Sequence, residues 1–233
     1  MPRRGRTLAV DVGGTHVKAL VEGADERRRF KTPRRLTAED MVARTLELVD
    51  GWRFDRVSIG VPAQVVHGRV VHEPVNLGRG WIGFDYGRAF GKPTKVVNDA
   101  VMQAIGGYDG GKMLFLGFGT GLGSAMIVDG LVEALELGHL PFRRATFEDY
   151  VNREGRKRLG RKRWRAAVLE TVDLFRQALQ PDSILLGGGL ADDLGACPAN
   201  VTLGGNDDAF TGGFKLWQPR ARRGQPALGY RSS

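Results

Sequence analysis

Three times in 233 residues an apolar strand runs straight into a cluster of glycines. Leu8-Ala9-Val10 leads into Asp11-Val12-Gly13-Gly14-Thr15, and Met113-Leu114-Phe115-Leu116 into Gly117-Phe118-Gly119-Thr120-Gly121-Leu122-Gly123. Ser183-Ile184-Leu185-Leu186 leads into Gly187-Gly188-Gly189. Glycine at a strand end lets backbone N–H groups converge on an anion with no β-carbon in the way. A threonine hydroxyl beside each of the first two turns adds a donor, and Asp11 is placed to hold Mg²⁺ directly or through water. One such turn alone reads as a plain hairpin. Three of them, two joining Gly to Thr, read as phosphate cradles. Neither main turn carries the Gly-Lys-Ser/Thr of a Walker loop, or G-x-G-x-x-G at a strand-to-helix junction.

The first two turns also open matching segments. Leu8 to Thr15 parallels Leu114 to Gly121, and Ala19-Leu20-Val21-Glu22-Gly23 is set against Ala125-Met126-Ile127-Val128-Asp129-Gly130. Two related lobes, each starting with a glycine-turned β-hairpin, would look like this. Arg29 to Lys31 reads as a third strand, and Thr37 as an N-cap for a helix with Val42, Leu46 and Val49 on one face. Val57 to Val61 reads as a buried strand, Gln64 to His72 as an alternating one, and Lys95 to Val97 as a short one before a helix at 100–105. Trp164, Val168, Val172, Phe175 and Leu179 form the stripe of an amphipathic helix that Pro181 stops. Expected boundaries are a lobe at 1–100, a second at 101–217, and a loosely ordered basic tail at 218–233 with four arginines and no acid.

Composition closes off several classes. No apolar run approaches the roughly 18 residues that span a membrane, and the N-terminus shows no signal-peptide pattern, so a cytoplasmic protein is expected. Cys197 is the single cysteine, which leaves no internal disulfide and no cysteine-rich zinc site. The net charge of +9 favours an anionic partner, and its distribution is uneven. Between Arg153 and Arg165 eight basic residues face one acid, Glu154, so seven of the nine net charges fall in thirteen residues.

The motifs resemble those of the actin-like sugar kinases of the ROK family, in particular its polyphosphate glucokinase branch. Asp11 to Lys18 is similar to the family's first phosphate motif, Gly117 to Gly123 to its second, and Leu186 to Gly189 to its nucleotide-side motif. Gly60-Val61-Pro62-Ala63, Asn76-Leu77, Trp81-Ile82-Gly83, Asn98-Asp99 and Glu136-Leu137-Gly138-His139 follow in family order. The resemblance implies an α/β, actin-like (ribonuclease H-like) two-lobed fold with an interlobe active-site cleft. It also implies a homodimer and phosphoryl transfer from polyphosphate or ATP, with Mg²⁺, to the 6-hydroxyl of a hexose such as glucose. The zinc-binding cysteines of many members are missing, and with them the family's further sugar-binding glutamate.

Phosphorylating a hydroxyl needs a group to accept its proton. Asp99, after a short strand and at a helix start, suits that task or a helix N-cap. The resemblance makes Asp99 the base and gives sugar hydroxyls to Asn98, Glu136, His139 and Asn76. It gives phosphates to Gly13, Gly14, Thr15, Lys18, Gly119, Thr120, Gly121, Gly188 and Gly189, and the metal to Asp11. Lys18 taken alone reads equally well as a solvated lysine. Trp81 is expected to pack between the lobes. The basic run reads as a solvated helix face or as a track for a long polyanion through Arg156, Lys157, Arg161 and Lys162. The family's DNA-binding repressors carry a helix-turn-helix ahead of the kinase-like part, and only six residues precede the first strand here, so no nucleic-acid partner is expected.

Overall fold

The computed structural model describes residues 5–205 and 207–218. The first half runs β1 (Thr7–Val12), β2 (His16–Val21), β3 (Arg28–Lys31), α1 (Ala38–Leu48), β4 (Arg56–Val61), β5 (Val65–Val66), β6 (Arg69–Val70), α2 (Tyr86–Phe90), β7 (Thr94–Asn98) and α3 (Asp99–Gly107). The second runs β8 (Lys112–Phe118), β9 (Leu122–Val128), β10 (Leu131–Leu135), β11 (Pro141–Phe142), β12 (Ala145–Thr146), α4 (Phe147–Val151), α5 (Arg153–Leu179), β13 (Ser183–Gly187), β14 (Val201–Leu203) and α6 (Asp208–Lys215). The expected tail lies, beyond Gln218, outside the described residues.

Residues up to Gly106 form one unit together with the segment from Asp207, and Gly107–Asn206 form the other. Helix α6 therefore belongs with the first sheet, although chain order alone would leave it in the second lobe. Ser58 Oγ fixes this return, donating to Gly213 O at 2.6 Å and accepting from Trp217 Nε1 at 2.8 Å.

Each unit is built on a five-stranded sheet, ordered β3-β2-β1-β4-β7 in the first and β10-β9-β8-β13-β14 in the second. In both, an antiparallel meander of three strands is extended by two parallel ones. Asp11 pairs with Lys18 on one side and Gly60 on the other, while Gly117 pairs with Gly123 and Gly187. The register thus makes Asp11 and Gly117 equivalent, as the sequence similarity does. It departs from the similarity in the following strand. Ala19 faces Val10 and Ser124 faces Leu116, so Ala19 matches Ser124, one residue before Ala125.

The first core gathers Leu8, Val10, Ile59, Met41 and Trp81. Trp81 is fully buried inside this unit's own core, with its indole N–H on Leu36 O at 3.2 Å, and does not pack where the sequence suggested. Thr37 caps α1 as expected, accepting from Asp40 N, but Met41 and Thr45 share its buried face with Val42, and Leu46 is exposed. The alternation over Gln64–His72 is a tight hairpin, β5–β6, turning on His67 and Gly68, both with positive φ. The second core packs Trp164, Val168, Val172 and Phe175 of α5 beneath the β8–β13 sheet. Among the described residues no helix is long and apolar enough to cross a membrane.

Candidate active site

In the first unit the candidate residues collect at one sheet edge. Parallel strands β1, β4 and β7 end together at Asp11, Gly60 to Val61 and Asn98, and the C-terminal edge of parallel strands is where α/β proteins bind ligands. A β-carbon on Gly60 would lie 3.2 Å from the Asp99 Cα, so this strand separates Asp11 from Asp99 by little more than its own backbone. Asp11 is almost wholly buried and meets Lys18 Nζ at 3.3 Å. Burial pushes its carboxyl above the usual carboxylate range, and the Lys18 ammonium pulls the other way. Lys18 is therefore not a solvated lysine alone, and its ammonium keeps further donors beyond this contact. It is the partner of Asp11.

The turn after β1 is held by Gly13 N donating to His16 O at 3.1 Å and by Thr32 Oγ1 donating to Gly13 O at 2.8 Å. Gly14 and Thr15 stand exposed at its tip. At the end of β7 the cap of α3 is Asn98, whose Oδ1 accepts from Ala100 N at 2.9 Å and Val101 N at 3.2 Å. Asn98 Nδ2 also donates to Ala63 O at 3.1 Å, which leaves one N–H of this side chain for a sugar hydroxyl. The capping role open to Asp99 is thus filled by its neighbour. Asp99 Oδ1 accepts from Ala100 N, the next residue along, at 2.8 Å. Asn76 is exposed in the loop that Glu73 organises by accepting from Gly80 N and Trp81 N.

In the second unit the second and third glycine turns are brought together. Parallel β8 and β13 pair Gly117 with Gly187, and Leu190 N donates to Phe118 O at 3.0 Å. Gly188 has a φ of 81° and lies against the Phe118 backbone, so any side chain there would meet main chain. Gly119 and Thr120 form the outer part of the second turn, closed by Gly119 N donating to Gly121 O at 3.0 Å. Gly189 is exposed beside them. Glu136 and His139 flank a short helical turn, both more than half exposed, with Oε2 and Nδ1 3.8 Å apart.

Glu148 is a residue that sequence reasoning missed. Its Oε2 accepts from Leu122 N at 2.9 Å and its carboxylate lies against Gly121, while its Cβ would meet a side chain at Gly138. One side chain therefore hydrogen-bonds the second glycine turn and packs beside the Glu136–His139 turn. The Thr146–Asp149 capping box that opens α4 was a legible signal for this helix, though not for where Glu148 points.

The basic run is helical from Arg153, with a break at Gly160, where φ is 73°. It is not a solvated face throughout. Arg156 Nε meets Asp193 Oδ2 at 2.9 Å, Arg161 reaches Asp193 O at 3.4 Å, and Arg165 donates to Ala196 O at 3.0 Å. Lys157 pairs with Glu154, and Lys162 is exposed. Of the expected track, Arg156 and Arg161, on either side of the kink at Gly160, thus hold the segment after the third glycine turn.

Among the described residues no group of three or more His, Cys, Asp or Glu side chains could cage a metal. Asp11 alone suits Mg²⁺, which keeps several waters and binds through one or two carboxylates plus phosphate oxygens.

No family model matches the chain. It is 27% identical over 207 residues to the polyphosphate glucokinase of Mycobacterium tuberculosis, covering 79% of this chain and 77% of that protein. The fold is similar to that of an inorganic polyphosphate/ATP-glucomannokinase from Arthrobacter sp. strain KM, with a TM-score of 0.79, 23% identity, and 90% and 96% of the two chains covered. It is also similar to a ROK family glucokinase from Streptomyces griseus in complex with glucose and AMPPNP, with a TM-score of 0.72, 19% identity, and 91% and 99% covered. The order of motifs, the sequence relatives and the actin-like two-lobe α/β fold agree in one likeness, to the ROK-family sugar kinases near the polyphosphate glucokinase branch.

Proposed function

We propose that this protein transfers a phosphoryl group from polyphosphate or ATP to the 6-hydroxyl of a hexose, glucose foremost. The observation that carries the reading is the first sheet's edge, where Asp11 and Asp99 stand on either side of Gly60 while Asn98 caps α3. Asp99 accepts the hydroxyl proton as the sugar oxygen bonds to phosphorus and the donor's bridging P–O bond breaks. The donor leaves as ADP or as a polyphosphate one phosphate shorter. Asn98, Asn76, Glu136 and His139 take sugar hydroxyls, and Glu148 keeps the Glu136–His139 turn in register with the second glycine turn. The backbone of Gly14, Gly121, Gly188 and Gly189, with the Thr15 and Thr120 hydroxyls, receives phosphate oxygens, while Gly13 and Gly119 spend their N–H groups closing the two turns.

Mg²⁺ held at Asp11 would supply charge neutralisation on the donor phosphates. Lys18 opposes the rise that burial imposes on the Asp11 carboxyl. The names of the relatives, polyphosphate glucokinase and polyphosphate/ATP-glucomannokinase, support both donors. The reading includes a cytoplasmic homodimer, which analytical ultracentrifugation and cell fractionation check. The deciding experiment is a coupled assay of glucose 6-phosphate formation with Mg²⁺ and either ATP or long-chain polyphosphate. Turnover with at least one donor is expected, and no turnover of any hexose with either would overturn the proposal.

A further inference from the structure

Most of the cationic run at 153–165 is engaged. Arg156, Arg161 and Arg165 hold residues 193–196, Arg158 Nη2 donates to Asp149 O at 2.8 Å, and Lys157 pairs with Glu154 at 2.8 Å. Arg153 stands apart. Its backbone N–H donates to Gly119 O at 2.9 Å, which fixes its Cα at the second glycine turn. Its Nη2 lies 3.9 Å from the point a β-carbon on Gly189 would occupy, so the guanidinium reaches along the third turn. The side chain is exposed, and among the described residues its guanidinium makes no ion pair or hydrogen bond. Two turns of bare backbone and an unengaged guanidinium therefore meet at one place. The neighbouring arginines, by holding 193–196, keep the third turn where Arg153 can reach it.

We infer that Arg153 binds the donor, its guanidinium bridging the second and third glycine turns and gripping phosphates common to ATP and polyphosphate. A planar fork of N–H donors matches phosphate oxygens bidentately, which a lysine ammonium cannot do. The inference rests on the phosphoryl-donor reading above. It differs from an outer track in demanding that a short donor feel Arg153 as strongly as a long one.

The test compares Arg153→Gln and Arg153→Lys with the wild-type protein at fixed salt and saturating glucose. Donor KM is measured for ATP and for polyphosphate, and inorganic tripolyphosphate binding is followed by titration calorimetry without sugar. The Gln variant should raise both donor KM values roughly tenfold or more, since a hydrogen-bonded charge is removed. It should weaken tripolyphosphate binding in step and leave the glucose KM within about twofold; the Lys variant should fall between. Unchanged donor KM and tripolyphosphate binding would overturn the inference, as would a loss confined to polyphosphate. Should Gln lower the thermal midpoint, the Lys variant, which keeps charge and stem, decides by the same donor KM readings. Arg153-dependent tripolyphosphate binding in a protein that turns over neither donor would uphold the inference and defeat the kinase reading.

Discussion

The two β-hairpins that open the two units have one topology and opposite chemistry. At the position where β1 carries the buried Asp11, paired across to Lys18 and Gly60, β8 carries Gly117, paired to Gly123 and Gly187. The first hairpin places an ionisable carboxylate at its sheet edge, with Asp99 two strands away. The second presents three glycines in a row and two turns of bare backbone. On the function proposed above, a repeated frame would supply a cation-holding edge from one copy and an anion-holding edge from the other. The first edge should govern the chemical step and the second the grip on the donor.

The largest effect expected is at Asp99. Asp99→Asn keeps size and hydrogen-bonding reach but cannot take a proton, so kcat should fall on the order of 10²–10⁴ with glucose affinity nearly unchanged. Steady-state kinetics beside direct glucose titration checks this, and a variant within a few-fold of wild type would remove Asp99 from the role.

Asp11→Asn should lower activity on the order of 100-fold and blunt its dependence on Mg²⁺ concentration. Its stability should move the opposite way. A carboxyl whose folded pKa is raised binds more protons folded than unfolded between its ordinary and its raised value. Stability therefore falls as pH rises through that window, and the ionised group remains unfavourable above it. The Asn variant lacks this loss, so at neutral pH its thermal midpoint should equal or exceed wild type. That margin should shrink as the pH falls toward 4. A midpoint several degrees below wild type at neutral pH would show that the Lys18 pair outweighs burial.

Gly119→Val probes the other hairpin. A β-carbon there meets nothing within 4 Å, so the fold should tolerate it while the methyl groups obstruct the outer turn. Donor KM should rise roughly tenfold, with glucose KM and thermal midpoint unchanged. The smallest effect belongs to the exposed lysines. Lys157→Gln with Lys162→Gln should raise the KM for long polyphosphate by a few-fold and flatten its salt dependence, leaving ATP unaffected. Neutralising Arg156 and Arg161 should instead impair both donors, because those side chains hold Asp193 beside the third turn.

Signals carried within a few residues are legible along the chain. The glycine turns, the Thr37 cap and the equivalence of Asp11 with Gly117 all follow from local spacing, and each holds in the fold. What escapes such a reading depends on partners distant in sequence. Arg161 meets Asp193 O from 32 residues away, and Ser58 holds Gly213 from 155 away, so neither the engaged arginines nor the return of α6 shows in local spacing. Gln64–His72 alternates convincingly, but a histidine at positive φ before glycine turns it back on itself. Asp99 is poised between cap and base because Asn98, equally able to cap, sits next to it. Ala100 N donates to both side chains, and the bond from Val101 N to Asn98 Oδ1 is what separates the two.

The division of labour between the hairpins is tested most directly by measuring kcat and donor KM for Asp99→Asn and Gly119→Val in one assay with glucose and a shared donor. The account predicts that the first variant loses kcat with donor KM nearly constant, and that the second raises donor KM with kcat nearly constant. Both variants moving the same parameter, or neither moving at all, would contradict it.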